Sequence, residues 1–107
     1  MQPDFMSLDP CTLLSPVPVV LVSCAGLDGK PNLITIAWAG TVCSDPPMLS
    51  ISVRKSRLSH GLIESSGEFV VNLVDTTLLK ATDFCGVKSG RDMDKFETCG
   101  LHPVAAP

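Results

Sequence analysis

The sequence contains few aromatic residues and little charge, and both shortages exclude classes of protein. Among 107 residues there are four Phe, one Trp and no Tyr, and only 18% are Asp, Glu, Lys or Arg. The chain therefore has few ring faces on which nucleobases could stack, and its net charge of −3 opposes binding to nucleic acid or an anionic membrane. No apolar run approaches the ~18 residues of a membrane-spanning helix. Because its first residues lack the basic segment of a secretory signal, we expect a cytoplasmic protein.

The five cysteines, at positions 11, 24, 43, 85 and 99, lack the spacing of known cysteine motifs. Their number is odd, and no two form the Cys-x-x-Cys pattern of a zinc ribbon or a dithiol redox site. Only two histidines accompany them, so a Cys/His metal site is not predicted. We interpret the cysteines as reduced and mostly buried in apolar surroundings.

The order of the segments predicts a mainly β fold with short helices. The Pro-rich residues 1–16 are typical of an arm, and the whole chain is long enough for one domain. Apolar and alternating segments predict strands at 18–25, 32–38, 48–53 and 68–74, with a hairpin turn at Asp28-Gly29. Strands and helices do not alternate as they do in a doubly wound parallel sheet.

Three local signals predict where the remaining segments begin and end. The consecutive prolines Pro46 and Pro47 predict a loop over 40–47, because proline cannot continue a central strand. Ser56 is a candidate N-cap for a helix that ends at Gly67. A second helix is predicted to begin at Asp75 or Thr76.

Six of the eight basic residues occur in two short segments. Hydroxyl side chains accompany each segment: the first has Arg54, Lys55 and Arg57 with Ser52, Ser56 and Ser59, and the second has Lys88, Arg91 and Lys95 with Ser89. Guanidinium, ammonium and hydroxyl groups near a helix start suit a compact anion such as a phosphate. The alternative is that these are solvated loop charges.

The segment Ala37-Trp38-Ala39-Gly40-Thr41 surrounds the only Trp with small residues. Small side chains let a flat ligand approach the backbone closely, so this segment is a candidate ring-binding site. Alternatively, Trp38 belongs to the core.

Several segments, in order, resemble the flavin reductase-like FMN-binding split barrels, especially the flavoredoxin branch. The resemblance extends from about Pro16 to Leu101 and is carried by 32–41, 45–48, 51–54, 66–73, 80–86 and 89–96. It implies a Greek-key split barrel that forms a homodimer and binds FMN near the subunit interface.

The resemblance also implies which residues bind the cofactor. Asn32 and Thr35 would support their strand or reach the polar edge of the flavin, and the loop of Ala37, Trp38, Ala39, Gly40 and Thr41 would lie along the ring. The ring and ribityl chain would be followed by Ser52, Val53 and Arg54. The phosphate would be contacted by Ser56, Arg57 and Ser59. The cofactor would be covered by Lys88, Ser89, Asp94 and Lys95. No catalytic side chain and no metal are implied.

The implied activity is oxidation of NAD(P)H, with electrons passing through FMN to an acceptor. Alternatives are an electron-carrier module without nicotinamide reductase activity and an inactive, cofactor-free fragment. The family's domain is longer than this chain, so we expect its later strands to be missing here.

For Cys43 and Cys85, which lie in the implied flavin loops, packing is favoured over redox chemistry.

Overall fold

The computed structural model describes residues 2–107, which contain five strands and short helices. Met1, the first residue of the predicted arm, lies outside the described residues, and residues 2–19 are exposed and precede the first strand. The elements are β1 Val20–Ala25, β2 Pro31–Ile36, β3 Ala39–Ser44, β4 Pro47–Ile51, α1 Leu58–Ser66, β5 Val70–Leu73, a 3₁₀ turn Thr76–Leu78, α2 Leu79–Val87 and α3 Lys95–Cys99. The mainly β fold with short helices that the sequence predicts is confirmed.

Strand β1 is the centre of a three-stranded antiparallel sheet in the order β2-β1-β5. The predicted turn between β1 and β2 is confirmed: Gly29 has a φ of 81°, and its N–H donates to the Gly26 carbonyl at 2.9 Å. A positive φ strains residues with a Cβ, so glycine suits this turn.

Side chains alternate between the two faces of each strand, and apolar side chains are buried on both faces of this sheet. On one face Val20, Val22, Ile34 and Ile36 form a buried cluster. On the other face Leu21 and Leu33 pack against Cys85 of α2 and Phe96 of α3. The near-continuous apolar sequences of β1 and β2 thus reflect burial on both sides.

The prediction of a loop over 40–47 is wrong, because most of these residues form a hairpin. Strands β3 and β4 pair antiparallel, with Ala39 opposite Ile51 and Ser44 opposite Pro47. Asp45 and Pro46 lie in the connection, and Pro47 is the first residue of β4. A proline is compatible with the first position of a strand in a two-stranded sheet, since both strands are edges.

The predicted helix signals are confirmed at one end of α1 and wrong at the other. Gly67 ends α1 with a φ of 74°, and its N–H donates to the Ile63 carbonyl at 2.7 Å. The N-cap is Arg57 instead of Ser56, and no side chain caps the first turn. Asp75 caps the following 3₁₀ turn as expected, accepting from the Thr77 N–H.

None of the helices in residues 2–107 is both long enough and apolar enough to cross a membrane.

Candidate functional site

The two basic segments lie next to each other. Arg91 Nη1 donates to the Ser56 carbonyl at 2.7 Å, and Arg57 Nη2 donates to the Gly86 carbonyl at 3.1 Å. Arg91 thus reaches the residues before α1, and Arg57 reaches the last turn of α2, so the two guanidinium groups join the start of α1 to the end of α2 and the loop that follows it. The geometry brings together the charges that the sequence places about thirty residues apart.

These basic side chains lack carboxylate partners among residues 2–107. Over that range one acid–base pair approaches within 4 Å, His60 Nδ1 and Glu64 Oε2 at 3.6 Å on α1. Arg54, Lys55 and Lys88 are exposed. Their positive charge, in a protein of net charge −3, remains available to an external anion.

The start of α1 adds backbone donors to these charges. The first N–H groups of a helix have no partner within it, and α1 begins at Leu58 without a side-chain cap. The helix dipole also favours an anion at this end. The segment from Arg54 to Arg57 therefore offers charge and hydrogen-bond donors together.

The hairpin of β3 and β4 places the Trp38 segment beside the beginning of the basic segment. The Ser52 N–H donates to the Trp38 carbonyl at 2.9 Å, and Gly40 pairs with Ser50. The Trp38 side chain is 52% exposed, so the alternative in which it belongs to the core is wrong.

Gly40 has neither a positive φ nor a neighbour within 4 Å of an added Cβ. Neither backbone conformation nor internal packing accounts for glycine here, whereas a ligand lying against the backbone would.

Asn32 and Ser59 are buried and bonded to each other, with Asn32 Nδ2 donating to Ser59 Oγ at 2.9 Å. Burial raises the pKa of the Cys24 thiol on β1, because removal from water disfavours the thiolate, and the Ser59 side chain partly opposes this rise. The hydroxyl of Ser59 thus ties α1 to the sheet and faces away from solvent, which corrects the expectation that it contacts a phosphate. Asn32 supports its strand, one of the two roles expected for it.

Thr35 also supports the structure around the site. Its hydroxyl donates to the Thr82 carbonyl, and it lies close to Gly86, where an added Cβ would be 3.4 Å from Thr35 Cβ. These contacts hold α2 against β2 and thereby place the Gly86 carbonyl that Arg57 binds.

The buried position of Lys95 contradicts another expected contact with the cofactor. Only 3% of this residue is exposed, and its Nζ donates to the carbonyls of Leu33 at 2.9 Å and Cys85 at 3.0 Å. Burial lowers the pKa of Lys95, because removal from water disfavours the ammonium. Lys95 therefore joins α3 to β2 and α2 in the interior.

Asp94 and Ser89 shape the loop between α2 and α3. Asp94 caps α3 by accepting from the Glu97 N–H at 3.2 Å, and Ser89 Oγ accepts from the Arg91 N–H at 3.1 Å. Arg91 itself is missing from the residues expected to bind the cofactor. The concentration of basic residues at 88–95 is the sequence signal that could have included it.

Ala39 and Val53 pack against the core cluster of the sheet, so their side chains anchor the strands and leave backbone groups for a ligand. Ala37 is half-buried between β2 and β3, whereas Thr41 and Ser52 are exposed.

A cavity of about 340 Å³ lies beside the start of β2. Asn32 and Asp94 are the expected site residues that line it, together with Asp28, Lys30, Gly90 and Arg91 among others. It does not include Trp38, Gly40 or Arg54, but it shares Arg91 and the start of α1 with the basic surface, so it adjoins that surface on the side away from the hairpin residues.

Comparison with known proteins identifies the family. Residues 13–107 match the flavin reductase like domain. The flavoredoxin of Desulfovibrio vulgaris (Miyazaki F) superposes with a TM-score of 0.88 at 35% identity, covering 96% of this chain and 56% of that one. An FMN-binding domain of a flavin reductases-like enzyme from Shewanella baltica superposes with a TM-score of 0.78 at 31% identity, covering 84% and 47%.

A relative of unassigned function extends the similarity to a third organism. The Escherichia coli protein YddH is 33% identical over 96 residues, which are 89% of this chain and 51% of YddH. The chain thus spans about half the length of such relatives, and the fold is the split barrel of this family. The chain belongs to the flavin reductase like domain family.

Proposed function

We propose that the chain carries an FMN-binding surface of an oxidoreductase that passes electrons from NAD(P)H through FMN to an acceptor. The observation that carries this proposal is the convergence of two basic segments at an uncapped helix start, next to the exposed Trp38. Flavoredoxin and the FMN-binding domain from Shewanella baltica, both above 30% identity, support flavin as the ligand.

The basic end of this surface suits the phosphate of FMN. Arg54 and Lys55 are exposed at the start of α1, and Arg57 and Arg91 use one guanidinium nitrogen each for the carbonyl contacts described above. Their remaining donors are compatible with a forked contact to phosphate oxygens. Lys88 adds charge from the loop after α2.

The other end suits the flat ring system. Trp38 presents an exposed apolar ring, and Gly40 leaves open space over the backbone of β3. Exposed polar groups of Thr41 and Ser52 lie on the same hairpin. We assign ring contact to this strand and polyol and phosphate contact to residues 52–57.

Bound FMN supplies the hydride and electron transfer chemistry, and the chain's residues bind and orient it. We assign no general acid or base. His60, on α1, faces Glu64 and is not assigned a catalytic role.

The primary test is the visible spectrum of the purified chain after addition of FMN and desalting. Retained flavin absorbance would support the binding surface, whereas complete loss of flavin would contradict binding by this chain alone and favour the inactive-fragment alternative.

A matched pair of variants tests the phosphate assignment. Arg54→Ala should weaken FMN binding about tenfold, within the range for one charge-assisted hydrogen bond, and should leave riboflavin binding nearly unchanged. Lys80→Ala removes an exposed cation outside the site and should change neither affinity. Equal losses for FMN and riboflavin in Arg54→Ala would contradict the assignment.

Oxidation of NADH or NADPH by the FMN-loaded chain separates the reductase from the electron-carrier alternative. Turnover with an artificial acceptor would support the reductase, and absence of turnover despite bound FMN would support the carrier. We further propose that the chain forms a homodimer; its cytoplasmic location stays a prediction.

A further inference from the structure

Cys85 and Cys99 bring two thiols into contact beneath the loop between α2 and α3. Their Sγ atoms are 3.9 Å apart, and both are free cysteines in the structure. A disulfide requires about 2.05 Å, so the sulfurs would have to approach by roughly 2 Å. Of the two, Cys85 is fully buried and Cys99 is partly exposed.

The surrounding contacts hold the two cysteines near each other. Lys95, the first residue of α3, donates from Nζ to the carbonyl of Cys85, and Phe96 packs against the Cys85 side chain. These contacts join the helix that carries Cys99 to the helix that carries Cys85. Cys99 is the last residue of the short α3, and Gly100 follows it in the left-handed conformation, with a φ of 67°.

Cys85 and Cys99 belong to the same apolar cluster, but they differ in accessibility. A small apolar residue at 85 fills the space between Leu21, Leu33 and Phe96. Cys99 is partly accessible, so a small oxidant can reach its thiol, whereas the Cys85 thiol is buried.

We propose that Cys85 and Cys99 form a reversible dithiol–disulfide site that is oxidised by small disulfides through Cys99. The Cys99 thiolate attacks one sulfur of the small disulfide, whose S–S bond breaks and releases one small thiol. The Cys85 thiol then gives up its proton and attacks Cys99 Sγ, and the second small thiol leaves with that proton. Two protein thiols and one small disulfide thus become one protein disulfide and two small thiols.

The disulfide would close a ring that contains the whole second basic segment, from Lys88 to Lys95. Residues 85 and 99 are fourteen positions apart, and a bond between them restricts the conformations of everything they enclose. Arg91 already contacts Ser56, so oxidation would stiffen the loop on one side of the basic surface. This inference concerns the thiols and does not depend on the proposed flavin function.

The test treats the full chain with oxidised glutathione, alkylates the remaining thiols and maps the peptides by mass spectrometry. We expect a peptide that links Cys85 to Cys99. In Cys85→Ala we expect glutathione to remain attached to Cys99, because the second attack is lost. In Cys99→Ala we expect Cys85 to remain a free thiol, because it is buried.

Cys43→Ala is the matched control and should still form the link. Glutathione on Cys11 and Cys43 without any Cys85–Cys99 link would overturn the proposal, and so would a link from Cys99 to Cys24 instead. Circular dichroism of each variant checks that it is folded. If Cys85→Ala is unfolded, Cys85→Val supplies the same comparison.

Limited trypsin digestion gives a second readout. Oxidation should slow cleavage after Lys88 and Arg91 several-fold, while cleavage after the exposed Arg54, outside the ring, stays unchanged. Equal rates before and after oxidation at all three sites would overturn the stiffening.

Discussion

At the scale of single residues, the side chains around the basic surface divide into exposed charges and buried polar anchors. Arg54, Lys55 and Lys88 are exposed, whereas Asn32 and Lys95 are buried with hydrogen-bond partners. A buried polar group without a partner is costly, so these anchors matter mainly for stability and for the position of the charges.

Asn32→Ala should lower the free energy of unfolding by about 1–3 kcal/mol, because it leaves the buried Ser59 hydroxyl without its donor. Urea denaturation measures this change. Ser65→Ala, which removes an exposed hydrogen bond to the Leu62 carbonyl, should have a much smaller effect. Equal losses in the two variants would show that burial of the Asn32–Ser59 pair does not determine its contribution.

Stability in alkali should depend on Cys85. Burial, and then the neighbouring Cys99, raise its pKa from 9.0 to about 11. Between these values the unfolded chain has lost this proton and the folded chain has kept it, so stability falls as the pH rises. The contribution is fully present below pH 9.0 and is lost as the pH rises through about 11.

We expect the free energy of unfolding to decrease by about 2 kcal/mol more in the natural chain than in Cys85→Ala over this interval. Urea titrations under reducing conditions, from about pH 8 to about pH 11, measure the difference. Cys11→Ala, at an exposed position, should behave as the natural chain does. Parallel pH profiles for the natural chain and Cys85→Ala would contradict the assignment.

At the scale of elements, helix α1 has one glycine within it and one at its C-cap, and the two have opposite roles. Gly67 ends the helix in the left-handed conformation, which residues with a Cβ adopt at a cost. Gly61 is exposed within the helix, and an added Cβ there meets nothing within 4 Å.

Gly67→Ala should therefore destabilise the chain by about 1 kcal/mol, and Gly61→Ala should stabilise it by about 0.5–1 kcal/mol. Thermal unfolding of both variants beside the natural chain measures the two shifts. The interpretation fails if the two substitutions shift the midpoint in the same direction.

At the scale of the whole molecule, the three-stranded sheet ends in an exposed edge. Strand β5 pairs on one side with β1, and Leu73 at its end is 86% exposed. Unpaired backbone groups beside exposed apolar side chains favour pairing with another chain. This arrangement agrees with the proposed association of two copies.

Leu73→Lys should weaken self-association, because a charge at the edge must lose its hydration in any contact made there. Sedimentation velocity over a range of concentrations measures the effect. Leu79→Lys places the same charge at an exposed position on α2 and should associate as the natural chain does. A natural chain that sediments as a monomer throughout the range would contradict the expectation.

The sequence by itself determined the features that depend on residues close together in the chain and on the order of the motifs along it. Alternation and apolar runs located β1 and β2, Asp28-Gly29 located their turn, and Gly67 located the end of α1. These features are local because backbone conformation and side-chain period act over a few residues. The motifs, and the order in which they occur along the chain, were sufficient to indicate the family that the comparisons identify.

Only the tertiary structure decided which polar residues are exposed at the basic surface and which are buried. Arg91 reaches Ser56 from 35 positions away, and Lys95 reaches the Leu33 carbonyl from 62 positions away. No local pattern distinguishes these two cations, which both lie in the same basic segment. Their roles differ because packing of α3 against the sheet encloses one side chain, while the loop before α3 leaves the other exposed at the surface.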